Sequence, residues 1–517
     1  MRKKQILWLN LAIAFFFAII FYGNYIGINF FLFEAVVIPV MLYINRPARL
    51  NFLTLALLVS VFITALMVVL INTSWCIFIN IILLFTLSAV LSFKGFRSFI
   101  HAFTEAFFRL FTSQFSIFKN WEEKQISKTS SNHRSNFGFR KVFYLIIVPF
   151  LILIGFMILY ASASSVFYQK FEGVFTVLVD FFKNLNFIFI LMVILGLVIG
   201  NVLFMKTSPI VTYDVDINSS YDLVRKRKKH YAPIKFTALK LQNLSGIVIL
   251  ILLNLLILYF NSLDIIHIWF GFEWDGGTLK EFVHEGTWVL VFSIALSALI
   301  ALYFFKDNLN FYSKNKTLKI LVIIWIIQNF IMTISVVLRN YWYINYFGFA
   351  YKRIAVLFFL LLTLVGLITI VIKIINKKSS FFLWTINGYS LLLVLIVSAC
   401  INWDVQIAKF NFTNYERSLI DYRFMARLNN SALIYTLKPI EEMEKIDAVQ
   451  EKVIPESIRE DGYLWNIYQY ETEIILKRDR FQKRYLHTDF LEWNLADYKT
   501  YKKLKESGML DYSYYRE

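Results

Sequence analysis

Three groups of side chains in this 517-residue chain have types and spacing that could do chemistry. Glu34 stands inside an apolar run, in Phe31-Leu32-Phe33-Glu34-Ala35, five residues before Pro39. A carboxylate at hydrocarbon depth costs about 2.5–3.5 kcal/mol or more, so it is protonated or paired there. Pro39 also frees a backbone carbonyl for a neighbour. The amides Asn80, Asn254, Gln328, Asn329 and Asn387 lie within other apolar runs. They line a polar path or, as such groups more often do, join helices by hydrogen bonds. The third group pairs Trp269–Glu285, with Glu273, Asp275, Glu281, His284 and Glu285, and Arg339–Arg353, with Arg339, Tyr341, Trp342, Tyr343, Tyr346, Lys352 and Arg353. His284 follows Glu281 by three positions, so a carboxylate could hold its imidazole in one tautomer for acid–base work or metal ligation. Arg339 or Arg353 could hold a phosphate. The same residues also read as an ordinary interfacial belt of Tyr, Trp and Arg. No nucleophile or metal set accompanies them, and no cofactor is expected.

The elements that must position these groups are membrane helices. With 58% hydrophobic residues, 18% aromatic residues and a mean hydropathy of +0.59, the chain is too apolar to hide its side chains in a soluble core. A hydrocarbon layer of about 30 Å needs about 20 helical residues. About eleven such runs are predicted: Ile6–Tyr22, Ile26–Ile44, Phe52–Ile71, Trp75–Leu91, Val142–Ala161, Phe187–Met205, Gly246–Leu263, Gly286–Phe305, Ile320–Leu338, Ile354–Ile372 and Phe381–Cys400. The first, behind Met1-Arg2-Lys3-Lys4, has no small-residue cleavage site and is expected to be a retained anchor. The fold class is therefore an all-α integral membrane protein.

Lys and Arg concentrate in Arg46–Arg49, Lys94–Lys141, Lys206–Lys240, Lys306–Lys319 and Lys373–Lys378, which all fall on one side of that topology. By the positive-inside rule this side, with the N-terminus, is cytoplasmic. Eleven crossings then place the tail outside. The tail from Ile401 holds 18 basic and 20 acidic residues, so the net charge of +18 belongs to the membrane half. It requires no nucleic acid; anionic lipids at the cytoplasmic loops are the expected partners, and Arg225–Lys229 reads first as topogenic charge.

Four segments follow: a four-helix membrane segment at 1–92, a cytoplasmic loop at 93–141, a membrane domain of about seven helices at 142–400 and a helical tail at 401–517. In the loop, Phe99, Phe103, Phe107, Phe108, Phe111 and Phe115 keep helical spacing, as in an interfacial amphipathic helix, before the polar stretch Ser127–Asn136. Phe171–Phe182 is expected to be a short helix against the outer face. In the tail, Leu464, Ile467, Tyr468, Ile474, Ile475 and Phe481 fit one apolar helix face, and Asn494 is placed to cap a last helix ending near Gly508. Cys76 and Cys400 both fall near outer ends of crossings, which would permit a disulfide in an oxidising compartment, although free thiols are the commoner state for such positions.

Several short stretches carry a family resemblance: Leu159–Phe167, Glu281–Gly286, Asn308–Tyr312, Arg339–Gly348, Asn402–Asn411 and Asp421-Tyr422. Together, over roughly Phe143 to Leu437, the chain resembles the bacterial membrane families called domains of unknown function four-one-five-three and four-one-seven-three. After Gly348, where that pattern usually continues Leu-Thr, this chain has Phe349-Ala350. The resemblance implies residence in a bacterial inner membrane and a shared outer-face motif, without a mechanism. Three classes of function remain: a non-enzymatic envelope scaffold or sensor that binds a protein partner through its tail and loops, an ion-coupled secondary transporter using Glu34, and a membrane transferase acting on a lipid-linked substrate. The absence of a Gly-rich phosphate loop weighs against an ATP-driven pump.

Overall fold

The computed structural model describes residues 3–45, 51–93, 95–126, 148–164, 167, 170, 186–205, 211–225, 239–270, 278–305, 308–453 and 465–511. No strand occurs among the described residues. In chain order the helices are α1 (Lys3–Phe21), α2 (Ile28–Asn45), α3 (Phe52–Ile71), α4 (Ser74–Ser92), α5 (Phe99–Ile126), α6 (Val148–Ala163), α7 (Phe187–Phe204), α8 (Val211–Asn218), α9 (Leu239–Asp264), α10 (Thr278–Phe304), α11 (Lys316–Phe347), α12 (Tyr351–Ile375) and α13 (Ser380–Ala399). The tail adds α14 (Trp403–Thr413), α15 (Tyr422–Ala426), α16 (Leu433–Thr436), α17 (Ile440–Val453), α18 (Ile467–Leu486) and α19 (Leu495–Glu506).

Among the described residues, eight of these helices are long and apolar enough to cross a membrane: α2, α3, α4, α7, α9, α11, α12 and α13. Gln5–Phe21 in α1 and Val289–Phe304 in α10 are shorter apolar helices. The protein is therefore a multi-pass membrane protein, nearly all-helical among the described residues. Its spans are apolar outward and more polar inward. In α3, Phe52, Leu55, Val59 and Phe62 are exposed while Ser60, Thr64, Ala65 and Val68 are buried, the pattern of a helix solvated by lipid.

Contacts divide the chain into two compact units, residues 1–23 with 109–207, and residues 24–108 with 208–517. This grouping differs from the segmentation drawn along the sequence, because α1 packs on α7 in the first unit. The cause is a small-residue seam: Gly196 and Gly200 are one helical turn apart, and a Cβ on Gly196 would lie 2.8 Å from the Ala14 backbone. Asn10 seals the same seam by donating to Asn201 Oδ1 at 2.5 Å.

In the second unit, α3 and α4 form a hairpin whose turn is only Asn72-Thr73. Asn72 adopts the left-handed conformation (φ 43°) and the Thr73 hydroxyl caps α4. Leu250, Ile257, Leu290, Ile294, Val322, Trp325, Leu360 and Leu367 form one apolar core across α9–α12. The tail has its own core of Tyr422, Met425, Leu433, Met443, Ile467, Tyr470, Ile474, Phe481 and Leu504, which takes in Ile354 from α12. Asn466 and Gln469 make a capping box on α18, and Asn494 caps α19, which ends just before Gly508 (φ 70°).

Several boundaries correct the sequence reading. Arg339–Phe347 is not a loop; it forms the last turns of α11, a 32-residue helix, because nothing breaks it before Gly348. Similarly α9 continues through a π turn to Trp269. On α18, Tyr470 rather than Tyr468 faces the core; Tyr468 is exposed. In α5, Phe103, Phe107, Phe108 and Phe111 are exposed while Ala102, Ala106 and Phe99 are buried, so its phenylalanine face points outward; Phe115 has no described side chain. Ser127–Asn136, Phe171–Phe182, Arg46–Arg49 and most of Arg225–Lys229 lie outside the described residues. Cys76 and Cys400 are both free thiols.

Candidate functional site

Glu34 is buried on α2 and accepts a hydrogen bond from Asn80 Nδ2 on α4 at 3.2 Å. Asn80 also donates to Thr64 Oγ1 at 3.0 Å and to the Val61 carbonyl at 3.2 Å on α3. Thr64 is fully buried and accepts at its own carbonyl from Cys76 Sγ. The carboxyl thus sits in a three-helix polar knot. No ion pair reaches it, and its Oε1 meets no donor, among the described residues.

The other intramembrane amides form a ladder between α9 and α11. Gln328 Nε2 donates to Asn254 Oδ1 at 2.8 Å, and Asn254 donates in turn to the carbonyls of Leu250 and Leu321. Asn261 reaches the Gln328 carbonyl at 3.0 Å. Higher up, Arg339 on α11 is paired with Asp264 at the end of α9, both buried, and Trp269 Nε1 donates to Ser335 Oγ at 2.8 Å. Asn329 turns away from this ladder to bond Trp325 O at 2.7 Å within its own helix. Asn387 likewise joins α13 to Thr369 of α12. The sequence reading singled out Asn254, Gln328 and Arg339 but missed Asn261 and Asp264. Their spacing was a signal: Asn254, Asn261 and Asp264 recur at seven and three residues, one stripe of a packed helix.

The expected outer-face group is assembled only in part. Arg339 meets Asp264 rather than a free anion site. Arg353 donates to the carbonyls of Phe347 and Gly348 and lies 4.3 Å above the Tyr343 ring. Tyr346 stacks on Trp342, and its carbonyl accepts from Leu419 N at 2.8 Å. Lys352 is exposed. Both guanidiniums expected to hold phosphate are engaged inside the protein. Glu281, His284 and Glu285 fall in the first turns of α10, where their side chains lie outside the described residues, as do Glu273 and Asp275 entirely.

Two of the stretches that carry the resemblance, Arg339–Gly348 and Asn402–Asn411, instead meet at a joint between spans and tail. Gly348 has φ 77°, and a Cβ there would collide with Asn411 Oδ1. Asn411 clasps the turn from both sides, accepting from Phe349 N at 2.6 Å and donating to Phe349 O at 3.0 Å. Asp404 accepts from the Tyr351 hydroxyl at 2.6 Å and from Asn429 N at 2.7 Å. Asn402 and Asn429 donate to the Ile71 and Asn72 carbonyls of the α3–α4 turn, and Ile28 N donates to Trp493 O at 3.0 Å. Tail and span turns are stitched together through side-chain amides and carboxylates.

No curated protein and no solved structure matches this chain. A family model does, the one described as Domain of unknown function (DUF4153), over residues 55–438. That match covers well over half of the chain, from α3 to the turn before α17, and includes the joint residues from Ile71 to Asn429, so the chain belongs to the DUF4153 family.

Proposed function

We propose that this protein is a non-enzymatic scaffold or sensor of a bacterial cytoplasmic membrane, with its N-terminus inside and its tail outside, where the tail binds an envelope protein partner. The observation that carries this reading is the joint itself. Asn402, Asp404, Asn411 and Asn429 are committed to fixing the tail on the turns at 71–73 and 347–350, so a load on the tail reaches α3, α11 and α12 directly. A catalytic pocket would need such groups turned toward a substrate. Sidedness is supported by charge: the turns 24–27, 72–73 and 348–350 beside the tail carry no Lys or Arg, whereas Arg97, Lys314, Lys316, Lys377 and Lys378 lie at the other helix ends. Those basic turns are the expected contacts for anionic lipid.

The test is native mass spectrometry of the protein extracted gently from its own membrane. A stoichiometric protein partner retained by the wild type and lost from Asp404→Asn supports the reading. A chain that always emerges without protein partners refutes it.

A second reading, an ion-coupled transporter, is favoured by one observation. Glu34 Oε1, Asn261 Oδ1, Gln328 Oε1 and Asp264 Oδ2 are buried acceptors that meet no protein donor among the described residues. Glu34→Gln should abolish any proton-coupled uptake by a folded protein; retained uptake removes this reading.

A further inference from the structure

A cleft of about 930 Å³ in the second unit belongs to none of the groups above. Its walls come from α18, from Ala426–Asn430 at the end of α15, and from Tyr25 in the turn that precedes α2. Five cations line it, Arg427, Lys477, Arg480, Lys483 and Arg484, against two carboxylates, Glu473 and Glu492. The tail as a whole is slightly acidic, 18 basic residues against 20 acidic, so this excess is local and needs its own explanation. Because the tail lies on the side away from the topogenic loops, the positive-inside rule does not supply one.

Two of the five cations are already paired. Arg480 meets Glu473 at 2.8 Å, and Arg484 meets Asp497 at 2.5 Å while lying over the Tyr25 ring. The other three have no carboxylate partner among the described residues. Lys477 is mostly buried and donates to the carbonyls of Ala426 and Leu428; an ammonium has three N–H groups, so one is left for a ligand. Arg427 and Lys483 are exposed at the rim. Trp465 and Tyr25 add apolar wall beside these donors, over the buried Phe481.

We propose that this cleft binds a phosphate-bearing ligand, its phosphoryl oxygens held by Lys477, Arg427 and Lys483 and its remainder resting on Tyr25 and Trp465. Convergent cations beside an aromatic wall suit a phosphate attached to an organic group. The position fits a headgroup as well as a soluble phosphate, since Tyr25 and Glu492 belong to the seam where α2 begins and the tail is bonded to it through Trp493. The proposal rests on the reading of the tail as the binding element, and it names what the tail binds besides protein.

The test uses the full chain in nanodiscs of phosphatidylcholine with or without phosphatidylglycerol, and separately in phosphatidylcholine nanodiscs titrated with inorganic phosphate. The cleft variant is Arg427→Gln with Lys483→Gln, two exposed sites whose loss leaves the fold intact. The control is Lys503→Gln with Lys505→Gln, equally exposed on α19 and outside the cleft. Loss of two charge-assisted contacts is expected to weaken binding by about 10- to 100-fold in the cleft variant and not in the control. Phosphatidylglycerol retained by native mass spectrometry identifies a lipid source; saturable inorganic phosphate binding without lipid retention identifies a soluble one. Binding of neither probe, or equal weakening in cleft variant and control, overturns the proposal. A protein partner retained alongside an empty cleft would sink this proposal alone, whereas phosphate bound by a chain without protein partners would sink the scaffold reading alone.

Discussion

The Arg339–Asp264 pair gives the sharpest energetic test of how the spans are held together. Both side chains are less than a tenth exposed, so the solvent screening that reduces surface pairs to about 0–1 kcal/mol does not apply. Arg339→Gln keeps approximate length and hydrogen-bonding capacity but leaves the Asp264 carboxylate without its cation. Asp264 Oδ2 already meets no donor among the described residues, so the protein offers it no substitute. Breaking a buried pair from one side costs about 3–5 kcal/mol. The double variant Arg339→Gln with Asp264→Asn removes both charges together and should recover about 1–3 kcal/mol of that loss, the size of a close coupling. Equilibrium unfolding in mixed micelles, followed by tryptophan fluorescence, measures all four corners of the cycle. A cost below about 1 kcal/mol for Arg339→Gln, or additive single effects, would show that the pair does not hold α9 to α11 and would refute the reasoning.

Other perturbations have equally definite expectations. Gly348→Ala forces a side chain into a left-handed turn against Asn411; it should cost about 1 kcal/mol or more and open the tail joint to limited proteolysis, and a protease pattern identical to wild type would contradict the role given to Asn411. Gly196→Leu should separate α1 from α7 in the first unit, read as loss of a disulfide engineered between the two helices, and should leave the unfolding of α9–α12 unchanged. Glu34→Gln preserves the bond from Asn80 and is expected to melt within about 0.5 kcal/mol of wild type, whereas Glu34→Lys should not fold. Burial pushes Lys477 down to about 8, against Asp404 and Glu473, which favour the ammonium, and with Arg480, which opposes it. Between pH 8 and the ordinary value of 10.5 the unfolded chain therefore holds a proton that the folded chain does not, so this group makes stability rise with pH across that window. The stability difference between wild type and Lys477→Met should rise from pH 8 to 10, and a flat difference would remove the shift.

Much of the architecture was legible in the sequence because hydrocarbon thickness sets a length that apolar runs must meet. Helix ends were not, for a physical reason: an apolar run marks where lipid ends, while a helix continues until its backbone is broken. Thus α11 looked complete at Leu338 but runs through Asn340-Tyr341-Trp342-Tyr343 to Gly348. Polar residues within spans were visible one at a time, yet partnership was not. Asp264 sat at the edge of an apolar run and looked like the start of a loop, although it is the counter-ion of Arg339. The tail cleft was the least legible, since Arg427 and Lys477–Arg484 are about fifty residues apart and meet only because Phe481 and Met425 share one core. Conversely, Asn402–Asn411 was legible as a motif, but only its hydrogen bonds reveal that it joins elements.

The central claim is that the tail sits on the outer side of the membrane, fixed to the span turns that lack basic residues. The most direct measurement is labelling of intact cells with a membrane-impermeant maleimide, in a background with Cys76 and Cys400 replaced by Ser. The exposed tail position Lys499→Cys should label in intact cells, and the exposed Lys314→Cys, in the turn before α11, should label only after permeabilisation. The reverse pattern would place the tail in the cytoplasm and contradict the account.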